Sequence, residues 1–583
     1  MPILQSTNVN PTALVVPDLY VVIVPPAQLL LNGVPSNVVG LVGTASYGPV
    51  NTPVLVQGMA EYSQNFGPLL NRKYDMGTHA AVVSLQGATA MQCVRVTDGT
   101  DVASSVVVGS TDITFTAKYT GTYGNNISVT LQNGAKANTI AAVVGVPGYA
   151  AEIYQNIPKA ASTTATTTGS ISTATTVPVD STASLVVGMV VSGTGVVSAP
   201  TVASITDPTH FVLSSSQSIG SGVVLTFTPT NFNSTWVALA AAVNNGQNAL
   251  RQPSIWVTAV AGGGTTIPSL PAVYQLVGGG DGVGTITATV LTGDSSVPSG
   301  MYALSNLNVA ILDCCDVDDS TAWTTIDAFA IGNSSYAIQV IPSGTTVTNA
   351  VTAKRTAGLD SAYSKLLHGD WLYWDDPVTG VTRLVSPQAF VAGRLANLSP
   401  QNVTLNKPIF GIAGSQKTGI SGINQTAYTT ADLTSLFQSG IDVVTLPGAG
   451  GFNIWTCRSG HTSSTNLTLQ LDNYPTLTNY IAKTLASGMG FYIGEVITPQ
   501  LFFNVTATLS QFMQNLTGAG LLATTDGTTP YAVQCNVQNN PPSQTKIGIV
   551  TATVQAVYPS INSTFIVNLQ GGSTVTVTVQ NQG

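Results

Sequence analysis

Charge is what this chain has least of: 17 basic and 25 acidic side chains stand in 583 residues, 7 percent of the total. An ordinary soluble domain carries about 25 percent. That shortage excludes a coiled coil, which needs charged residues flanking its heptads, and a charge-rich disordered chain. With a net charge of -8, there is no basic surface for counterion-release binding to nucleic acid. Cysteine is also scarce. Cys93, Cys314, Cys315, Cys457 and Cys535 are an odd, scattered set, which reads as free thiols in a reducing compartment and not as a disulfide scaffold. Long hydrophobic runs are missing too. The most apolar stretch, Ala13 to Leu31, is broken by Pro17, Asp18, Pro25 and Pro26, whereas a membrane-spanning helix needs about 20 unbroken apolar residues. The opening MPILQST has neither the charged start nor the apolar run of a signal peptide, so the expectation is a protein made in a cytoplasm. What fills the space is Ser, Thr, Asn, Gln and Gly beside a normal 44 percent of hydrophobic residues. A surface so poor in charge is weakly protected against self-association.

The order of patterns predicts an α+β, multidomain chain: an α/β-layered core with β-rich peripheral domains and extended terminal β arms. Residues 1–30 form an N-terminal arm, because TALVVPDLYVVIVPP is β-branched and punctuated by proline. Residues 31–110 are the first part of the core. NVVGLVGTA, TPVLV and MQCVRVTD read as strands, MAEYSQNFG and THAAVVSLQGATAM as helices. Residues 111–290 are a β-rich middle domain of hairpins, interrupted at about 161–230. There ASTTATTTGSISTATT reads as a Ser/Thr linker, followed by about five short strands of an inserted β module. Residues 291–480 alternate buried strands (NVAILDCCD, YAIQVIP, PIFGIAG, GIDVVTLPG, FNIWTC) with helices (TAWTTIDAFAIG, VTAKRTAGLDSAYSKLL, TADLTSLFQSG, NYPTLTNYIAKTLASG). Residues 481–583 hold one long helix, then alternating strands YAVQCNV, KIGIVTATVQAVYP, STFIVNLQ and STVTVTVQ. After Glu495 the charged residues are Asp526 and Lys546 alone.

Four constellations could carry chemistry, and each has a plainer reading. GGGDGVG, Gly278 to Gly284, lacks the lysine of a phosphate-binding loop and reads as a tight turn. DCCDVDD, with Asp313, Cys314, Cys315, Asp316, Asp318 and Asp319, lacks both the EF-hand order and a paired CxxC or CxxH. It reads as a strand end followed by a helix start capped by Asp318 or Asp319. Cys457 and His461 in CRSGH have no orienting third group in the pattern. GDWLYWDDP places Asp370, Asp375 and Asp376 beside Trp371 and Tyr373, which a strand and turn explain without glycosidase chemistry. His79, His210 and His368 stand alone. No catalytic, cofactor-binding or metal-ligating residue is expected, and no cofactor.

Six motifs taken in order carry a resemblance. VVGLVGTASYGPVNTPVLV (Val38 to Val56) precedes a helix ending at Phe66-Gly67. AKYTGTYGNNISVTL (Ala117 to Leu131) has Tyr123 where the related pattern has Trp. AEIYQNI (Ala151 to Ile157), GGGDG (Gly278 to Gly282), SGIDVVTLPGAGGFNIWTCRS (Ser439 to Ser459) and the last hundred residues follow. Together they resemble the contractile tail sheath proteins of bacteriophages, over almost the whole chain except 160–230. The resemblance implies a structural subunit and not an enzyme. It implies stacked hexameric rings around a tail tube, contracting by rigid-body rotation to drive the tube through the host envelope. Implied partners are further copies of the chain, the tube protein, and baseplate and terminator proteins, with neither nucleic acid nor stable membrane insertion. The implied location is the virion tail, assembled in the host cytoplasm. Subunits of such sheaths are tied by arm strands added to a neighbour's sheet. The residues here that fit that part are Val15, Val16, Tyr20, Val22 and Val24 at one end, and Phe565, Val567, Leu569, Val575 and Val577 at the other. The inserted module is expected on the outer rim, removable without loss of assembly. A charge-poor, Ser/Thr-rich insert also fits a surface-exposed β-rich adhesin or other secreted structural protein, which the lack of a signal peptide and the α/β pattern disfavour.

Overall fold

The computed structural model describes residues 31, 33–249, 251–420 and 428–569, and the backbone of 3–4 and 21–22. The chain divides into two compact units, each assembled from separate stretches: Met1–Leu41, His79–Gln92 and Leu304–Gly583 in one, Val42–Thr78 and Cys93–Ala303 in the other. The fold is mixed α+β in several sheets.

The first unit is built on part of a six-stranded sheet, in the order Ser364–Leu367, Tyr336–Val340, Ile311–Cys314, residues 38–41 of the strand Val38–Gly43 and residues 90–92 of the strand Ala90–Arg95. The first three are parallel, with Ile311 opposite Tyr336 and Ala337 opposite Ser364. Parallel neighbours need crossovers, and helices Trp323–Gly332 and Val347–Ala357 supply them. Every residue of the three strands is buried, as expected of a sheet covered on both faces. Trp323, Ile326, Phe329 and Ala330 fall at helical spacing and turn one apolar stripe inward. Helix Val347–Ala357 begins where Thr346 accepts from the Asn349 N–H and stops at Gly358, which sits at φ 68. The expected continuous helix VTAKRTAGLDSAYSKLL therefore ends early, and its SKLL is a core strand. Helix Pro387–Ala396 is almost wholly buried, with Ser386 as its cap. Its Gln388 is tolerated there because Nε2 donates to the carbonyls of Cys314 and Ile338.

Three further expectations in this unit change in detail. Ile412–Ser415 joins an antiparallel sheet with Leu372–Asp375. GIDVVTLPG and FNIWTC contribute two-residue strands, Val444–Thr445 and Thr456–Cys457, paired to each other. Helix Met76–Leu85 starts before the expected THAAVVSLQGATAM and stops short of its end, since Gly87 is at φ 91 and Ala90 begins a strand.

The second unit carries the hairpins. Strands Glu152–Pro158, Thr139–Gly145, Ser128–Asn133 and Ala272–Gln275 form one antiparallel sheet; Val257–Ala261, Ile113–Ala117 and Ser105–Val108 form another. Helix Asn233–Asn245 buries Trp236, Leu239 and Val243 against them. Residues 163–228 make two three-stranded sheets of their own: Thr163–Thr166, Val224–Thr228 and Val190–Ser192, then Ile171–Pro178, His210–Ile219 and Val202–Asp207. The expected Ser/Thr linker is thus strand. Threonine is β-branched, and the stretch places Ala165, with Val177 just after it, inward against a core centred on Phe211 and Phe227, whose rings meet edge to face at 5.1 Å.

Candidate assembly surface

Residues 473–569 form a small layered region with an open side. Helix Asn473–Gly488 is followed by helix Pro499–Gly518, opened by Thr498, whose hydroxyl accepts from Leu501 N–H, and by proline in the first turn. Leu501, Val505, Leu509, Phe512, Met513 and Leu516 repeat at helical spacing and are buried. Their partner is a two-stranded antiparallel sheet, Tyr531–Gln534 with Thr553–Ala556, in which Tyr531 faces Ala556 and Val533 faces Val554. The KIGIV half of the expected strand is turn and coil; Asn540 pins it by accepting from the Thr551 N–H. A two-stranded ribbon is marginal alone, and each of its outer edges is a template for another strand. Between ribbon and helices lies an apolar cavity of about 610 Å³, lined by Leu485, Met489, Ile497, Leu501, Val505 and Val554 among others, with Glu495 as its one charged lining residue.

The chain beyond this ribbon is tied down and then released. The Tyr558 hydroxyl meets Thr478 at 2.9 Å, its ring lies against Tyr474, and Asn473 donates to the Pro559 carbonyl. From there to 569 the backbone takes no regular structure. Phe565, Val567 and Leu569 are 81, 69 and 91 percent exposed. Of the expected strand STFIVNLQ, residues 563–569 pair with no strand among the described residues, so the hydrogen-bond ladder that would define it is missing there. Among the other expected arm residues, Val22 lies in the two-residue strand Val21–Val22, parallel to Ile3–Leu4. Val15, Val16, Tyr20, Val24, Val575 and Val577 lie outside the described residues.

Most polar groups of the constellations weighed in the sequence are occupied by internal bonding; Asp313 Oδ1 and His461 Nδ1 have no hydrogen-bond partner among the described residues. Asp281 of the glycine cluster accepts from the Thr122 N–H and from Arg72, both at 2.6 Å, while Gly279 N–H donates to Asn125. A side chain at 279 would meet the Gly121 carbonyl at 2.3 Å, so glycine is needed for this close approach. The GGGDG and GTYGNN turns that carried the resemblance thus grip each other.

Cys457 is buried beside a fully enclosed ion group. Lys365 Nζ is 2.7 Å from Asp442 and 3.0 Å from Asp472, and the Tyr336 hydroxyl donates to Asp472 at 2.7 Å. Burial pushes the Cys457 thiol far up, and Asp442 pushes it further, which favours the thiol over the thiolate and counts against a Cys457–His461 nucleophile. Burial also lowers His461. Burial alone would lower the Lys365 ammonium; Asp442 and Asp472 outweigh that and raise it.

In GDWLYWDDP, Asp370 accepts from Lys417 N–H, Ser415 and Tyr428, and Asp376 pairs with Arg383 at 3.0 Å. Both carboxylates are spent on structure. His368 Nδ1 donates to the Tyr428 hydroxyl oxygen at 3.1 Å, that hydroxyl's own proton going to Asp370, and burial drops the His368 pKa to about 4. His210 pairs with Asp207 on the surface of the β module.

Asp318 and Asp319 do not cap helix Trp323–Gly332. Its first flanking residue is Ala322, with no side-chain cap, and Asp319 instead accepts from Thr321. The same segment does gather a group that spacing could not reveal: His79 Nδ1 is 2.8 Å from Asp313, and Nε2 is 3.0 Å from Asp316. His79, Asp313 and Cys315 are all buried, with ligand-type atoms within 4.8 Å of one another. Among the described residues no helix is long and apolar enough to cross a membrane.

No protein-family model matches the chain, and no curated protein sequence does. Solved structures do. A sheath tail protein from Listeria innocua aligns over 90 percent of this chain and 96 percent of its own, with a TM-score of 0.54 at 12 percent identity. A sheath tail protein from Desulfitobacterium hafniense aligns over 88 and 92 percent, with a TM-score of 0.51 at 13 percent identity. The chain has the multidomain fold of these sheath tail proteins.

Proposed function

We propose that this chain is the sheath subunit of a contractile phage tail. Copies stack as hexameric rings around a tail tube, between baseplate and terminator proteins, and contraction drives the tube through a host envelope. The subunits are assembled in the host cytoplasm and work in the virion tail. The observation that carries this reading is the open ribbon of residues 531–534 and 553–556, with an apolar groove at its side and an exposed apolar tail at 565–569, in a chain with the fold of sheath tail proteins. An edge with unpaired donors and acceptors takes an extended segment. A tail with large apolar side chains gains about 25 cal/mol for each Å² it removes from water. A tail from one copy laid on the ribbon of the next satisfies both. The arm residues Val15, Val16, Tyr20, Val22 and Val24 serve the same linkage at the other terminus. Such contacts run head to tail, and a contact that does not close on itself propagates into a cylinder. The β module of 161–230 is carried on the outer rim of that cylinder.

Electron microscopy of the purified protein tests this. Striated tubes or cylinders are expected from the full chain, and their loss on deleting residues 561–583 or 1–24. Particles that stay monomeric at every concentration would overturn the proposal.

A further inference from the structure

We infer that His79, Asp313 and Cys315 form a buried site for a divalent transition metal of zinc type, with Asp316 orienting the histidine. The backbone brings them together in two steps. Asp313 stands near the end of the strand Ile311–Cys314, and the turn that follows carries Cys315, whose sulfur comes within 4.8 Å of the Asp313 carboxylate. Asp316 then takes a left-handed conformation, φ 54, which bends the chain back and returns its carboxylate to the same place. His79 enters from helix Met76–Leu85, whose Ala80 and Val83 are also buried.

The donors are one nitrogen, one carboxylate and one sulfur, a set that suits zinc and does not suit magnesium or calcium, which take oxygen. Their atoms lie within 4.8 Å of one another. Tetrahedral ligands bonded at about 2.0–2.3 Å stand roughly 3.3–3.8 Å apart, so the site closes on a metal when Nδ1 and Asp313 Oδ2, now 2.8 Å apart, separate and the more distant atoms draw in. Two observations point to an occupant. Asp313 is fully buried, and its Oδ1 has no hydrogen-bond partner among the described residues, a costly state for a carboxylate oxygen. And His79 Nε2 lies 3.0 Å from Asp316, the arrangement in which a carboxylate takes the proton-bearing nitrogen and leaves Nδ1 free to bind metal. Nδ1 itself is 2.8 Å from Asp313 Oδ2, a hydrogen-bond length, so in metal-free protein a proton occupies this place. The metal replaces that proton and the thiol proton, with Asp313, Cys315 and Nδ1 as protein ligands. Because all three residues are enclosed, the ion is acquired during folding.

The test uses the full chain expressed in medium supplemented with Zn²⁺ or Co²⁺. About one metal per chain is expected after exhaustive dialysis, and the Co²⁺ protein should show a thiolate-to-cobalt charge-transfer band. Cys315→Ser should abolish that band, whereas Cys314→Ser, the neighbouring buried thiol, should keep it. Metal-free wild-type protein, or a band that survives Cys315→Ser, would overturn the inference and leave a protonated His79 bridging two carboxylates. If Cys315→Ser fails to fold, the metal content of the wild type and the Cys314→Ser spectrum still decide the matter.

Discussion

The parallel-sheet core and the C-terminal ribbon region use charge in opposite ways. In the core, scarce charges are placed inside: Lys365 between Asp442 and Asp472, and His79 between Asp313 and Asp316. In the C-terminal region there are almost none, and Asp526 and Lys546 are both exposed. The low overall charge is therefore not spread thin over the molecule. Where a single geometry must be fixed, ions hold strands and loops together. Where an edge is left open, amides, hydroxyls and apolar side chains take over. Buried ion groups do not add much net stability over a well-packed apolar core, but removing one partner strands the others.

The largest expected effect breaks that core arrangement. Lys365→Met leaves Asp442 and Asp472 enclosed with no cation, and should cost about 3–5 kcal/mol in chemical denaturation. Lys546→Met, on the exposed side of the ribbon region, should fall within about 0.5 kcal/mol. Similar losses for the two would erase the contrast between the regions.

A second effect appears on acidification. His368 has its folded value near 4, below the ordinary 6.5, because burial disfavours the charged ring. Between these two values the unfolded chain takes up a proton that the folded chain refuses. The neutral ring's contribution is fully present above pH 6.5 and is lost as pH falls towards 4, by roughly 3 kcal/mol in total. His461, also lowered by burial, adds to the same slope. Asp370, raised by burial, opposes it at the acid end. His368→Gln should therefore shrink the drop in melting temperature between pH 7 and pH 5, and an unchanged drop would remove His368 from the account.

The sequence patterns revealed the crossover units, because all-buried strands such as YAIQV and striped helices such as WTTIDAFAIG have distinct periods. They also revealed the long helix, read as LFFNVTATLSQFMQNLTGAG and found at Pro499–Gly518; its cap Thr498 and first-turn Pro499 went unread. The ion groups were hidden. Lys365 and Asp472 are 107 residues apart, and His79 and Asp313 are 234 apart, so local spacing carries no trace of either. The Ser/Thr stretch was misread for a different reason. Low complexity resembles a linker, yet β-branched threonines with one small or apolar residue turned inward make a good strand. The exposed C-terminal tail shows in the sequence as apolar alternation in Phe565, Val567 and Leu569. What pairs with it does not, because no described residue of the chain forms a ladder with it.

The smallest expected effect is that of salt on assembly, and it is the sharpest test of the contrast. The groove beside the ribbon has one charged lining residue, Glu495, and the exposed tail from 560 to 569 has none. Raising ionic strength from about 0.01 M to about 1 M shortens the screening length from roughly 30 Å to roughly 3 Å. It weakens exposed ion pairs and leaves strand pairing and apolar burial in place. Tube yield, read by sedimentation or electron microscopy, should stay nearly level across that range. A steep fall would mean that a few ions, not strand addition, hold the subunits together. Glu495→Gln would then show whether the one carboxylate in the groove is responsible: if it flattens the salt response, the ribbon is still the joint but an ionic one, and if it does not, the joint lies elsewhere on the chain.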